Sequence, residues 1–303
     1  MSATVARKRE RPARPPARRQ PIWRDPAGRF SWLKTITLVL VFLPGLDLAL
    51  AWSAGALGGR PVTEVIHGTG EWAVRFLLMS LAVTPARMVL DWPRVVLLRR
   101  LLGVTAACYA AAHLFLYCVD ENFHMLTVVS EIVLRFYLTI GFIALCGLLT
   151  LAATSTDGAM RRMGRNWKRL HRLVFPVAVL ALFHYFMQSK ADVSAAVFVT
   201  GLYAWELLWR AVPKRLQGRL WLLPLLAIAA GLATAGIEAA WYALATGVDA
   251  RRVLLANLHI AFGPRPAVSV FLLGLAVFVV AAARRLFSGW RARGARPAGA
   301  PAS

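Results

Sequence analysis

The sequence predicts an all-α fold, a polytopic membrane helix bundle. Three observations carry this. Of 303 residues, 58% are hydrophobic and the mean hydropathy is +0.57, too apolar for a soluble domain of this length. The apolar residues fall into runs near the ~20 residues that cross a bilayer. The basic residues are segregated between those runs: starting from the cytoplasm, 29 of the 36 Lys and Arg fall on inner segments and five on outer ones. That asymmetry is the positive-inside pattern and places both termini in the cytoplasm. It also accounts for the net charge of +22 without nucleic acid, which is not expected as a partner.

Residues 1–30, rich in Arg, Pro and Ala, read as a disordered basic cytoplasmic tail. Arg18-Arg19 ahead of an apolar run, with Ala49-Leu50-Ala51 beyond it, has the outline of a cleaved signal. However, residues 33–52 are long enough to span, so a retained first helix is the better reading. Seven further spans are expected over 72–90, 101–119, 131–153, 171–189, 193–211, 220–245 and 267–286. These divide the chain into the tail, a transmembrane core over 31–212, an additional two-helix segment over 213–290 and a cytoplasmic tail over 291–303. The segment 120–131 has no Lys or Arg and suits an outer loop. Residues 246–266 are amphipathic and suit the outer interface, in contact with membrane lipid. Cys108, Cys118 and Cys146 lie in or at the end of spans without metal-type spacing and are expected to pack as small apolar residues.

Histidine inside an apolar span needs a partner for each nitrogen. His113 lies about twelve residues from the inner start of the third span, and His184 thirteen residues beyond His171 at the inner start of the fifth. At ~1.5 Å per residue both stand roughly 18–20 Å from the inner face. Two imidazoles on different helices at one depth can coordinate a single haem from both sides. Such iron has no open position, so the expected task is electron transfer. The bland alternative is a pair of buried histidines bonded to hydroxyls or backbone. Arg75 and Arg135, expected at the outer starts of their spans, share this layer and are candidates to hold haem propionates, with snorkelling as the alternative.

His171 has no such partner. On a straight helix it lies roughly 140° from His184, and Pro176 between them is able to change that phase. The matching inner position on the third span is Arg99. A second haem site with a non-histidine ligand, contact with a flavin or quinone, and binding of lipid phosphate are all open for His171. His67 and His124 fall in expected outer loops and His259 in the amphipathic segment. Glu206 and Arg210 form an i,i+4 pair. Asp47 lies near the outer end of the first span. No Gly-rich nucleotide fingerprint is present, so electrons are expected from a separate donor and leave to a separate acceptor. A proton-coupled transporter is a competing class, disfavoured because no discontinuous helix or internal repeat is evident.

Three stretches together resemble the MsrQ family, also called YedZ: HGTGEWAVRFLLMSLAVTPAR (67–87), RRLLGVTAACYAAAHLFLYCVD (99–120) and residues 135–190, of which TSTDGAMRRMGRNWKRLHRLVF is the most specific part. The resemblance covers about residues 30–212 and implies a six-helix ferric-reductase-like core, with two extra C-terminal transmembrane helices here. It implies a haem b electron-transfer subunit of an oxidoreductase, with FMN as a further candidate cofactor and the catalytic site on a partner. Electrons would come from the quinone pool or a cytosolic flavin reductase. They would pass to MsrP, a periplasmic molybdopterin subunit that reduces methionine sulfoxide in proteins. The family's haem histidines fall on His113, His171 and His184. A stand-alone transmembrane ferric or quinone-linked reductase is the alternative function. The chain has Arg135-Phe136-Tyr137 where the family usually has Arg-Pro-Tyr, which removes an expected helix-start signal.

Overall fold

The computed structural model describes residues 21, 23–25, 27–189, 192–259 and 263–294, with side chains to 288. Most of both expected tails and Lys190 lie outside the described residues. Thirteen α-helices are present among the described residues: α1 Trp32–Leu40, α2 Leu43–Ser53, α3 Pro61–Val89, α4 Leu98–Asp120, α5 Met125–Leu134, α6 Phe136–Ala153, α7 Asp157–Met163, α8 Arg165–Leu170, α9 Val174–Gln188, α10 Ser194–Ala211, α11 Leu222–Thr246, α12 Ala250–Ala256 and α13 Pro266–Gly294. Short 3₁₀ turns at Pro93–Leu97 and His171–Leu173 lead into α4 and α9. Seven helical stretches are long and apolar enough to cross a membrane. The chain is therefore a multi-pass all-α membrane protein. The expected span over 193–211 is present as α10, 18 residues carrying Glu206 and Arg210, and is not among those seven.

Several boundaries differ from expectation. Residues 23–25 and 27–31, expected at a disordered end, are tied together: Asp25 Oδ1 accepts from the Ala27 and Arg29 N–H groups at 2.9 Å, and Lys34 Nζ donates to the Arg24 carbonyl at 2.8 Å. The first span is two helices. Pro44 has no N–H for the carbonyl four residues earlier, and the Tyr109 hydroxyl enters the next turn. It accepts from Gly45 N–H at 2.9 Å and donates to the Val41 carbonyl at 2.8 Å, replacing the direct bond of that turn. The second span begins at Pro61, eleven residues early, so His67 is on a helix and not in a loop. The segment 120–131 is largely the start of α5.

The expected fourth span is divided at Arg135, which is extended (φ −98°, ψ 103°). The helix start at Phe136 needs no proline, because the Arg135 carbonyl accepts from Leu138 N–H at 2.8 Å and Thr139 Oγ1 donates to the Ile132 carbonyl at 2.5 Å. In the fifth span the irregularity falls at His171–Leu173, and Pro176 sits in the first turn of α9, where a missing N–H costs nothing. The straight-helix phase between His171 and His184 therefore does not apply.

Between apolar helices in lipid, association rests on close packing and internal hydrogen bonds. Ala106, Ala107 and Ala178 are buried at helix contacts of the core. The extra helices use the same device: a Cβ at Gly274 would stand 2.5 Å from the Ala227 Cβ, and one at Gly231 3.2 Å from the Phe271 Cβ. The helix α10 packs on α3 and α9 on one side and on α11 and α13 on the other, joining core to extension. Arg284 Nε also donates to the Leu90 carbonyl at the end of α3, at 3.0 Å.

A further join repairs a break. Pro85 lies inside α3 and leaves the Leu81 carbonyl without its helical donor. Arg210 Nη2 donates to that carbonyl at 2.7 Å, and Nη1 reaches Glu206 Oε2 at 3.4 Å. Arg210→Leu is expected to lower stability by roughly 1–3 kcal/mol by leaving the Leu81 carbonyl unpaired. Part of that loss belongs to Glu206. Pro85→Ala restores a backbone donor, so the same Arg210 substitution in a Pro85→Ala background should cost measurably less in thermal unfolding. Equal losses in both backgrounds would show that the carbonyl contributes nothing.

Candidate haem site

Four helices form a closed ring in which α3 packs on α4, α4 on α6, α6 on α9 and α9 on α3. His113 on α4 and His184 on α9 therefore project from diagonal helices. Their rings are half-buried, with centroids 6.3 Å apart and planes at 83°. Each ring is held by the helix beside it. His113 Nδ1 donates to the Ile66 carbonyl on α3 at 2.7 Å, and His184 Nδ1 donates to the Tyr137 carbonyl on α6 at 2.7 Å. A carbonyl at Nδ1 fixes that nitrogen as the protonated one and leaves an Nε2 lone pair able to coordinate a metal.

The two half-sites are built alike. Each histidine is 47 residues from its carbonyl. Four residues past each carbonyl is a glycine against which the ring lies. A Cβ at Gly70 would stand 2.9 Å from His113 Nδ1, and one at Gly141 2.6 Å from His184 Nδ1. Positions 66, 70 and 113 map onto 137, 141 and 184 by a single shift of 71 residues. The two half-sites share one spacing, with the helix bearing carbonyl and glycine preceding the helix bearing the histidine in each.

This geometry can be tested against a shared metal. An imidazole nitrogen sits about 2.0–2.1 Å from a bound transition metal and about 1.1 Å from its ring centre, so two rings sharing one metal in line have centres about 6.3 Å apart. The observed separation meets that requirement. Among the described residues no group of three or more His, Cys, Asp or Glu gathers as a bare-ion site. Two imidazoles at that separation, without further protein ligands, would suit an iron whose other positions are filled by a macrocycle. The residues present therefore fit a haem.

The other predicted site residues are placed differently. Arg75 lies within α3, about 140° around the helix from Gly70. It pairs with Glu71 at 2.7 Å and stands over the Trp72 ring at 4.9 Å. Arg135, at the joint of α5 and α6, pairs with Glu131 at 2.5 Å and donates to the Tyr137 hydroxyl at 3.4 Å. Glu131 also accepts from Tyr117. Both guanidinium groups thus have a carboxylate one helical turn earlier. His171 is not brought to the pair. It stacks on Trp167 with centroids 3.9 Å apart, with Nδ1 3.2 Å from the Trp167 carbonyl and Nε2 3.3 Å from Ser155 Oγ. The Trp167 indole in turn donates to the Thr154 carbonyl at 2.9 Å.

Sequence reasoning missed Gly70, Gly141 and Tyr137, whose ring stacks beside His184 at 6.4 Å. The equal glycine-to-histidine spacing was the available signal. His67, on α3 next to Ile66, is exposed and within electrostatic reach of both His113 and His184. His124 precedes α5 and His259 follows α12, both exposed. The three cysteines are free.

A family match covers His113, Gly70, Tyr137 and Gly141 of this site. Residues 69–182 match the family described as "Ferric reductase like transmembrane component". Fold and match together define a ferric-reductase-like polytopic membrane protein. A relative from Xanthomonas euvesicatoria pv. vesicatoria (strain 85-10), named "Protein-methionine-sulfoxide reductase heme-binding subunit MsrQ", is 42% identical over 185 residues, which are 60% of this chain and 84% of the relative. One of the same name from Rhodospirillum rubrum is 38% identical over 201 residues, 65% of this chain and 94% of the relative. The chain belongs to the MsrQ family. No solved structure matches it.

Proposed function

We propose that the chain is the haem b electron-transfer subunit of a protein-methionine-sulfoxide reductase system in the bacterial inner membrane, with both termini cytoplasmic. The observation that carries this reading is the pair His113 and His184, with ring centres 6.3 Å apart and each Nδ1 tied to a neighbouring helix, which leaves Nε2 available for iron. The relatives' printed name, a heme-binding subunit, supports the same cofactor.

Haem iron supplies a one-electron couple when bound. The chain's own residues do the rest. His113 and His184 would hold the iron from two helices and leave it no protein-side opening for oxygen, which favours electron transfer. The Ile66 and Tyr137 carbonyls orient the rings and raise their basicity. The apolar ring of α3, α4, α6 and α9 excludes water. Arg75 and Arg135 retain donors beyond those given to Glu71 and Glu131, and we assign those to haem propionates. His171, in its basic surroundings beside Arg169 and Arg172, is assigned to the side where electrons enter, at a second haem, a flavin such as FMN or a quinone. The donor is the quinone pool or a cytosolic flavin reductase, and the acceptor is a periplasmic, MsrP-like molybdopterin subunit.

The test is spectroscopic. Purified protein reduced with dithionite should show sharp low-spin b-type bands. Adding a molybdopterin methionine-sulfoxide reductase subunit with methionine sulfoxide should reoxidise them, and either component alone should not. A protein that stays colourless when supplied with haem rules out the cofactor. A reduced haem that ignores the complete mixture rules out the partner.

A further inference from the structure

Away from the histidine pair, the extension holds a buried ion pair that the proposed electron transfer does not use. Glu238 on α11 is only 1% exposed and accepts from Arg265 Nη2 at 2.6 Å and from Asn257 Nδ2 at 3.2 Å. A carboxylate so deep in a membrane helix is costly, and its partner is thereby fixed in place. Arg265 Nε is buried yet has no hydrogen-bond partner. The Arg265 side chain as a whole is one-third exposed and open to a further partner.

Arg265 lines a cavity of about 940 Å³ where α10 and α13 begin and α12 lies across them. Its wall also carries Arg252 and His259, the Ser269 hydroxyl, and the apolar faces of Phe198 and Leu255. The nearby carboxylates are already engaged. Asp192 Oδ1 accepts from Ser194 N–H at 2.9 Å, Asp249 Oδ1 accepts from the Arg251 and Arg252 N–H groups at 2.7 and 3.2 Å, and Glu238 holds Arg265. The cavity is therefore cationic at its polar side and apolar opposite. Its volume is about thirty times the share of one water in the liquid, room well beyond a single phosphate. Exposed Leu254, Leu255 and Leu258 continue the apolar side outward along the membrane boundary.

We propose that this cavity is a binding site for an anionic phospholipid, with the phosphate between Arg252, His259 and Arg265 and an acyl chain along Phe198 and Leu255. The site lies at the end of the bundle where α3 and α6 begin, and a lipid seated there would tie α12 to α10 and α13.

Native mass spectrometry of the full chain tests this, with phosphatidylglycerol, phosphatidylcholine and inorganic phosphate supplied in separate arms. Phosphatidylglycerol should be retained over phosphatidylcholine. Arg252→Gln and His259→Gln should each weaken retention, by roughly fivefold for the arginine, and neither touches the Glu238 ion pair. Leu255→Trp keeps every cation but fills the apolar wall, and should also lower retention. Circular dichroism of each variant confirms folding. Equal retention of the two lipids, or unchanged retention in Arg252→Gln, overturns the site. Unchanged retention in Leu255→Trp, or full competition by inorganic phosphate alone, overturns its assignment to a lipid.

Discussion

Alanine at position 113 or at position 184 is expected to remove low-spin haem from the purified protein. In the proposed assignment both imidazoles would hold the iron, so losing either would leave it weakly held. The loss should exceed the roughly 10–100-fold that outer-shell partners of a metal typically contribute. The dithionite-reduced spectrum measures it directly. His171→Ala is the internal comparison. Its ring is engaged by Trp167 and Ser155 rather than by the histidine pair. That variant should keep the low-spin bands while slowing reduction by a quinol or flavin donor. Full low-spin haem in both His113→Ala and His184→Ala would disprove the ligand assignment, and loss of all haem in His171→Ala would disprove the separation of roles.

Gly141→Ala should be the most damaging substitution outside the histidines. The added methyl would lie 2.6 Å from His184 Nδ1, 2.7 Å from Cε1 and 3.0 Å from Cγ, so it meets the ring itself and not a flexible tip. To make room the ring must leave the Tyr137 carbonyl, which frees the tautomer and tilts Nε2. Haem affinity should fall roughly 10–100-fold, the range seen when an outer-shell partner is lost. Gly70→Ala places its methyl 2.9 Å from His113 Nδ1 and should act in the same direction with a smaller effect. Haem titration of the apoprotein ranks the two. Wild-type affinity in Gly141→Ala would mean that the close approach of α6 to α9 is dispensable.

Much of the architecture is legible in the residues, because hydrocarbon imposes so few solutions on a long apolar run. The pairing of His113 with His184 is legible too, since rise per residue converts sequence position into depth. The breaks at Val41, Arg135 and His171 are not. The first is set by a hydroxyl from Tyr109, 68 residues away, and the other two lie within helical patterns that do not lose their periodicity. Gly70 and Gly141 escape for a different reason. Their role is the absence of a side chain, and its meaning depends on which helix passes alongside. The partners of Arg75 and Arg135 were within reach, as Glu71 and Glu131 each stand four residues earlier, the spacing of a helical ion pair. The small polar cluster of Glu238, Asn257 and Arg265 depends on the return of α13 against α11, which no local pattern reports.

The shift of 71 residues that superposes one half-site on the other has a consequence for redox tuning. Two imidazoles with the same acceptor, the same bond length and the same glycine beneath them present nearly identical donors along one axis. If the pair holds haem as proposed, its likeness gives neither side of the iron a preferred direction, while ligand type and the Nδ1 bonds still act on the potential. Direction passes to the groups that break the likeness. An ionisable imidazole, His67, follows Ile66 on one side. On the other, Tyr137 lays its ring beside His184 and links through Arg135 to Glu131. The histidine pair is nearly symmetric, and its polarity is written in the ring of residues outside it.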